Sequence, residues 1–240
     1  DLTIHNTTNF LTKQVTGSKF PNCVKAWRKR LPHICRFSII FNSFGTELSD
    51  DTEEKQWRKL VHRALNVRNR HPNEPDHKCR ICNRVDESML HLIQCHRTKP
   101  YWDACITFTT NVLLAPRPIS SWHAIIFGQW RRHDDPDPLG PEEARAFLRH
   151  AVNVFFHDFC NVDHKNIPFQ SESAYLRALL SLKSAVLRRG KTFAVLYANR
   201  CNPALPEEIA EEDRDKFSQL IKVRPHGKFE IAPAFLSEID

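Results

Sequence analysis

Cys79-Arg80-Ile81-Cys82, then eight residues to His91, then three more to Cys95, is the stretch whose reading decides the fold of this chain. The pattern C-x2-C-x8-H-x3-C places three thiols and one imidazole within seventeen residues. That is a full tetrahedral donor set for Zn²⁺. Cys79 and Cys82 are close enough for one tight turn to aim both sulfurs at a point. His91 and Cys95 stand four apart and so share one face of a helix. A knuckle followed by a helix closes around the ion and leaves no open position, so one structural zinc held by Cys79, Cys82, His91 and Cys95 is the expectation. The competing readings are four unrelated residues or a disulfide framework. Nothing resembling a secretory signal supports the second.

The flanks narrow the reading. Upstream, Trp57, Leu60, Val61, Ala64 and Leu65 fall on one helical stripe, with Arg58, Lys59 and Arg63 on the other. Asp86-Glu87-Ser88-Met89-Leu90-His91-Leu92 lies between the ligand pairs, and Pro100-Tyr101-Trp102 follows the last cysteine. This block, residues 57–102, resembles the zinc-binding region C-terminal to the polymerase in LINE-type (non-LTR) retrotransposon reverse transcriptases. There a helix of the type W-x2-L-x4-L-x-[TV]-R precedes C-x2-C. An E-[ST]-x2-H-L segment carries the third ligand, and a Trp follows the last Cys. The resemblance covers about a fifth of the chain. It implies the same four zinc ligands, with Trp57, Leu60, Leu65, Leu92 and Trp102 as the packing shell.

The departures bear on chemistry. A reverse transcriptase needs paired aspartates in a Tyr-x-Asp-Asp-like setting, and no such setting occurs in the sequence. Asp50-Asp51 opens a helix, and Asp134-Asp135 lies in a Pro/Asp turn. That turn tempts an endonuclease reading, but no strand with a Glu-x-Lys follows it, and a solvated turn is the better account. The expectation is a non-enzymatic protein with no catalytic residues: a retained knuckle module without its polymerase.

Composition fits a folded chain. At 240 residues, 41% hydrophobic and 26% charged, it can bury one large core or two modest ones. No apolar run reaches the roughly eighteen residues of a membrane-spanning helix. The first residue is Asp1 rather than Met, so the expectation is a processed mature chain or a piece of a longer one. Beyond the three cysteines of the knuckle, Cys23, Cys35, Cys105 and Cys160 read as small buried residues and Cys201 as a loop residue. None has a His/Asp neighbourhood that marks a nucleophile. This usage points to a reducing, intracellular compartment.

Charge is spread unevenly. Residues 1–100 hold 18 Lys and Arg against 10 Asp and Glu, whereas residues 101–240 hold 17 against 18. The excess concentrates in Lys25, Arg28, Lys29 and Arg30, in Arg58, Lys59, Arg63, Arg68 and Arg70, and in Lys78, Arg80, Arg84, Arg97 and Lys99. Clustered cations bind phosphates by releasing counterions. Trp27 inside the first cluster is a candidate to stack on an unpaired base. Ordinary basic solvent faces are the alternative for any single cluster. For the half as a whole the expected partner is RNA, which suits knuckles and basic-aromatic surfaces.

The coarse structure reads as mainly α: a helical domain with an embedded CCHC zinc knuckle, followed by a second helical bundle. Residues 1–48 read as an N-terminal arm and short helical region, with a helix over about 22–31 and an ambiguous apolar run from Cys35 to Phe44. Residues 49–130 form the knuckle domain. Within it Ser49 or Asp50 caps the Trp57 helix, a helix runs from Thr98 and Pro100 to about Leu114, and Ser120 caps a short helix. Residues 131–141 read as a Pro-rich linker and domain boundary.

Residues 142–240 form the C-terminal helical region. Gly140-Pro141-Glu142-Glu143 opens one helix, whose His150 and His157, with His164 in a loop after it, are a second metal candidate that no Cys or carboxylate of matching spacing completes. Ser171 or Ser173 opens another helix, ending at Gly190, with Leu176, Leu179, Leu180, Leu182, Val186 and Leu187 as a broad apolar face. Lys191–Asn199 continues as a helix or strand. An acidic helix from Pro206 to about Val223 and an extended tail complete the chain.

Three functional classes stay open. The favoured one is a non-enzymatic zinc protein that binds RNA, with ribosomal RNA the expected polymer, inside a large ribonucleoprotein such as a mitochondrial ribosome. Neighbouring proteins of that complex would be its other partners, and the mitochondrial matrix is favoured over the nucleus. The others are a nucleic-acid-binding segment of an active LINE-type polymerase and an accessory scaffold of a respiratory-chain assembly.

Overall fold

The computed structural model describes residues 22–30, 40, 46, 48–65, 67–70, 73, 76–132, 135, 137–165, 167–200, 219–224 and 228–239. Among these the chain is mainly α, with one two-stranded antiparallel sheet near its end. The expected arm over 1–21 lies outside the described residues, as do the run 35–44 apart from Ile40 and the acidic segment up to residue 218.

Helix α1 (Asn22–Arg30) inserts Val24 and Trp27 into the core. Helix α2 (Asp51–Val61) starts at a capping box. Asp50 accepts from the Thr52 and Glu53 amides, and the Glu53 carboxylate accepts from the Asp50 amide. Its end explains why the sequence stripe overshoots. The Ala64 amide donates to Lys59 O at 2.7 Å and the Arg63 amide to Leu60 O at 3.0 Å, with Arg63 at φ 56°. This is a Schellman closure, which glycine usually provides. An arginine fills the left-handed position here, so no glycine announces the stop. Ala64 is consequently exposed and Arg63 leaves the helix face, whereas Leu65 turns back into the core.

Helices α3 (Met89–Gln94), α4 (Lys99–Asn111) and α5 (Ser121–Phe127) follow. Ser120 caps α5, and Gly128 ends it at φ 63°. Long helices α6 (Glu142–Lys165) and α7 (Ser171–Arg200) form the main antiparallel pair. The expected stop at Gly190 does not occur. A glycine in a helix interior costs only about 1 kcal/mol, and the residues from Lys191 to Arg200 continue the helix.

The segment expected to link two domains folds back on itself. Trp130 N donates to Pro138 O at 2.9 Å and Gly140 N to Gly128 O at 3.1 Å, closing a hairpin over 128–140. A Cβ at Gly140 would meet the Trp130 ring at 2.1 Å, so glycine is what lets the hairpin close. Helix α6 then packs on α2 as well as α7. One hydrophobic core runs from Trp27 and Trp57 through Tyr101, Trp102 and Phe147 to Phe155, Leu179 and Phe235. Pro138 and Pro141 therefore lie at a corner in a continuous core, because the apolar faces on either side are buried against each other.

At the C-terminal end β1 (Ile221–Arg224) pairs with β2 (Lys228–Ile231), in register Ile221↔Ile231 and Val223↔Phe229. The short helix α8 (Pro233–Leu236) then sets Phe235 against Phe108, with ring centroids 5.8 Å apart. A helix reaching Val223 and an extended tail were expected from the sequence. Alternating Ile221, Val223, Phe229 and Ile231 suit a strand pair instead.

A buried polar knot ties α2 to α6. The Arg149 guanidinium lies 2.6 Å from Glu54 Oε1 and 4.5 Å over the Trp57 ring. His150, fully buried, donates from Nε2 to Leu48 O at 2.8 Å, and its Nδ1 lies 2.9 Å from Ser181 Oγ and 3.4 Å from Glu53 Oε1. His157 is exposed on the same helix. The two histidines thus do not converge, and His150 serves the core.

Candidate metal centre

A tight hairpin builds the first half of the centre. Lys78 and Asp86 face each other across it, Cys79 N donates to Val85 O at 2.7 Å, and Asn83 N donates to Cys79 O at 2.7 Å. Asn83 takes φ 52°, a left-handed conformation that asparagine accepts more readily than most residues. Helix α3 supplies the second half. Ser88 caps it by accepting from the His91 amide at 3.1 Å, and Cys95 forms its C-terminal cap. Thr98 Oγ1 and Trp102 Nε1 both donate to Leu92 O, at 2.6 and 3.2 Å, clamping α4 against α3. The expected packing shell of Trp57, Leu60, Leu65, Leu92 and Trp102 is buried throughout.

The donor atoms of Cys79, Cys82, His91 and Cys95 all lie within 4.8 Å of one another, so the cluster can hold one metal ion. Four donors at tetrahedral zinc distances of ~2.0–2.3 Å would sit roughly 3.5–3.8 Å apart. An ion would therefore draw these atoms in by about 1 Å at most. His91 Nε2 faces Cys82 Sγ at 3.4 Å, which identifies Nε2 as the nitrogen turned to the cluster.

Burial and nearby backbone amides act in opposite directions on each sulfur: the amides of Ile81 and Cys82 favour the Cys79 thiolate, those of Arg84 and Val85 that of Cys82, and those of Arg97 and Thr98 that of Cys95. Burial pushes the Cys79 thiol up to about 12, and it also raises Cys95, each with help from the neighbouring sulfurs. At Cys82 burial works against ionisation, but the two amides and His91 outweigh it and bring the thiol down to about 6.

Glu87 is the residue that sequence reasoning left without a role. Wholly buried, it accepts from the amides of Arg68 and Arg80 at 2.9 and 3.1 Å and from the Arg80 guanidinium twice at 2.8 Å. That guanidinium lies 4.2 Å over the Phe159 ring of α6. The hairpin is thereby pinned both to the segment after α2 and to the main helix pair. Its traces in the sequence are its place as the first residue of the Glu87-Ser88-Met89-Leu90-His91-Leu92 segment and an arginine seven residues before it, across a turn between cysteines.

Arg80 is thus spent on structure, and other members of the expected basic surface divide similarly. Lys25, Lys29 and Arg58 are exposed and Lys59 is half-buried. Arg63 sits off the α2 face with its guanidinium 5.5 Å over the Trp27 ring. Arg68 donates to Lys78 O at 3.1 Å and lies 3.6 Å from Asp76. The side chains of Arg28, Arg30 and Arg70 lie outside the described residues. Trp27, expected as a stacking platform, is buried with its Nε1 donating to Val61 O at 2.7 Å and its ring edge-on to Phe127. A ring held this way cannot receive a base.

No family model matches this chain, and neither a curated protein nor a solved structure matches it.

Proposed function

We propose that this chain is a non-catalytic zinc protein that binds RNA through its basic N-terminal half and packs within a larger ribonucleoprotein, of which a mitochondrial ribosome is the favoured kind. The observation that carries the reading is the Cys79, Cys82, His91 and Cys95 cluster, whose four donor atoms lie within 4.8 Å of one another. Sulfur-rich tetrahedral sites select zinc among the common divalent ions, and a fourth protein ligand leaves no position for substrate. The likeness of residues 57–102 to the zinc-binding region of LINE-type reverse transcriptases supports the same ion and the same structural role.

RNA as partner rests on how burial sorts the charges. Glu53, Glu54 and Glu87 are withdrawn into the core, whereas Lys25, Lys29, Lys55, Arg58, Lys78, Arg84 and Arg97 remain at the surface. Among the described residues of this half, the exposed cations outnumber the exposed acids Asp50, Asp51, Asp76 and Asp86. Because Arg63 is not on the α2 face, the test uses Lys55, Arg58 and Lys59 instead. The triple change to Glu should weaken association with a single-stranded RNA and flatten the salt dependence by about 2 in log–log slope, three contacts at roughly 0.7 each. Lys183→Glu with Arg188→Glu on α7 should leave RNA binding unchanged. A purified chain with no zinc by elemental analysis would overturn the metal reading. RNA binding indifferent to salt, or equal effects from both variants, would overturn the RNA reading.

A further inference from the structure

Helix α7 carries apolar side chains on two faces. Ala178, Leu179, Leu182 and Val186 fill the core, while Leu176, Leu180 and Leu187 remain 42%, 41% and 47% exposed. The broad apolar face read in the sequence is thus split, half inward and half outward. The outward leucines fall at i, i+4 and i+11, on one line along about 17 Å of helix. Single exposed leucines are unremarkable, but three in line on one helix form a patch of the kind that marks an interface.

The charges around the line select its occupant. Lys183 lies on it between Leu180 and Leu187, and Arg188 is exposed beside Leu187. Between Ser171 and Arg189 the only acid is Glu172, and Arg177 pairs with Asp158 of α6. A second copy would bring the same positive charge to the contact. A nucleic acid would find aliphatic groups where it needs rings to stack on. A lipid surface requires an apolar face sunk about 5–10 Å into the headgroup boundary, which a single line of leucines less than half exposed, interrupted by Lys183, does not supply.

We propose that this face of α7 docks an acidic amphipathic helix of a partner protein, whose apolar stripe lies on Leu176, Leu180 and Leu187 and whose carboxylates meet Lys183 and Arg188. An amphipathic helix lays its apolar stripe on a complementary surface through anchors about one turn apart. The inference stands whether or not the basic N-terminal half binds RNA.

The test uses the full zinc-loaded chain and a labelled eighteen-residue designed helix, with leucines at the matching spacing and Glu along both flanks; a second helix carries Lys in place of Glu. Fluorescence anisotropy should show the acidic helix binding at least tenfold more tightly than the basic one. The variant Leu176→Ser, Leu180→Ser, Leu187→Ser keeps every charge and should lose at least tenfold. Unchanged zinc content and thermal midpoint would show that it is folded. Lys183→Glu with Arg188→Glu should reverse the preference to the basic helix. Equal binding of both helices, no binding of the acidic one, or an unchanged affinity in the serine variant would overturn the proposal. A dimer dissolved by the serine variant would assign the face to a second copy, and loss of co-sedimentation with anionic vesicles in that variant would assign it to lipid; either result also overturns it. RNA binding should be the same in all these variants, so failure here is distinct from failure of the RNA reading.

Discussion

Arg63 shows how much one residue can carry without advertising it. It holds a left-handed backbone that non-glycine residues adopt at a cost, and its guanidinium covers the Trp27 ring. Arg63→Ala should keep the strain and lose the cation–π contact, destabilising by about 0.5–1 kcal/mol. Arg63→Gly relieves the strain, so it should be more stable than the alanine variant by roughly 1 kcal/mol in denaturant melts. The reverse order would mean that the closure of α2 is not what limits this position. Glu87 presents the opposite case, an acid whose burial is justified only by its partners. Glu87→Ala would leave the Arg80 guanidinium buried without its carboxylate, a loss of about 3–5 kcal/mol. Elemental analysis of the same variant should show weakened zinc retention, because the knuckle loses the pin to Arg68 and Phe159.

Among the elements, the joint between α2 and α6 is the one that responds to acid. Burial opposes the charge on Glu53, yet hydrogen bonds from His150 and Asp50 outweigh it and hold the carboxyl down at about 2. Its unfolded value is near 4.5. A depressed carboxyl stabilises fully above the unfolded value and loses that contribution as pH falls toward the folded one. The chain should therefore lose stability between about pH 4.5 and 2, and Glu53→Gln should flatten that part of the profile in thermal melts. An identical slope in both proteins would discount the knot. The hairpin over 128–140 depends on shape instead. Gly140→Ala puts a methyl into the Trp130 ring, and overpacking of this kind costs typically 1–3 kcal/mol.

For the whole molecule the consequence of a single core is that the Cys/His cluster and the helix pair share their fate. Trp102 touches both Leu92 of the knuckle and Phe155 of α6, the latter with ring centroids 4.9 Å apart. Removing zinc with a strong chelator should accordingly lower the melting temperature of the entire chain in one transition, since metal-binding energy is folding energy in so small a motif. Two separate transitions, one insensitive to chelator, would restore the picture of two bundles joined at 131–141.

The sequence by itself determined the donor set, the order of the helices and the caps that open them. Those features are local. A knuckle needs two cysteines with two residues between them, and a helix start needs Asp50 or Ser120 within a turn of the amides it satisfies. Where the sequence misled, the deciding contact came from far along the chain. Trp27 looks like a base-stacking ring until Val61 and Phe127 enclose it. The prolines of 131–141 look like a linker until α6 packs on α2. The leucines of α7 look like one face until the core takes half of them. Burial and pairing across a hundred residues depend on which surfaces meet, and no local spacing encodes that. Only the tertiary structure could therefore sort the cations into those drawn into the fold, such as Arg80 and Arg149, and those left at the surface, such as Lys25, Lys55 and Arg84.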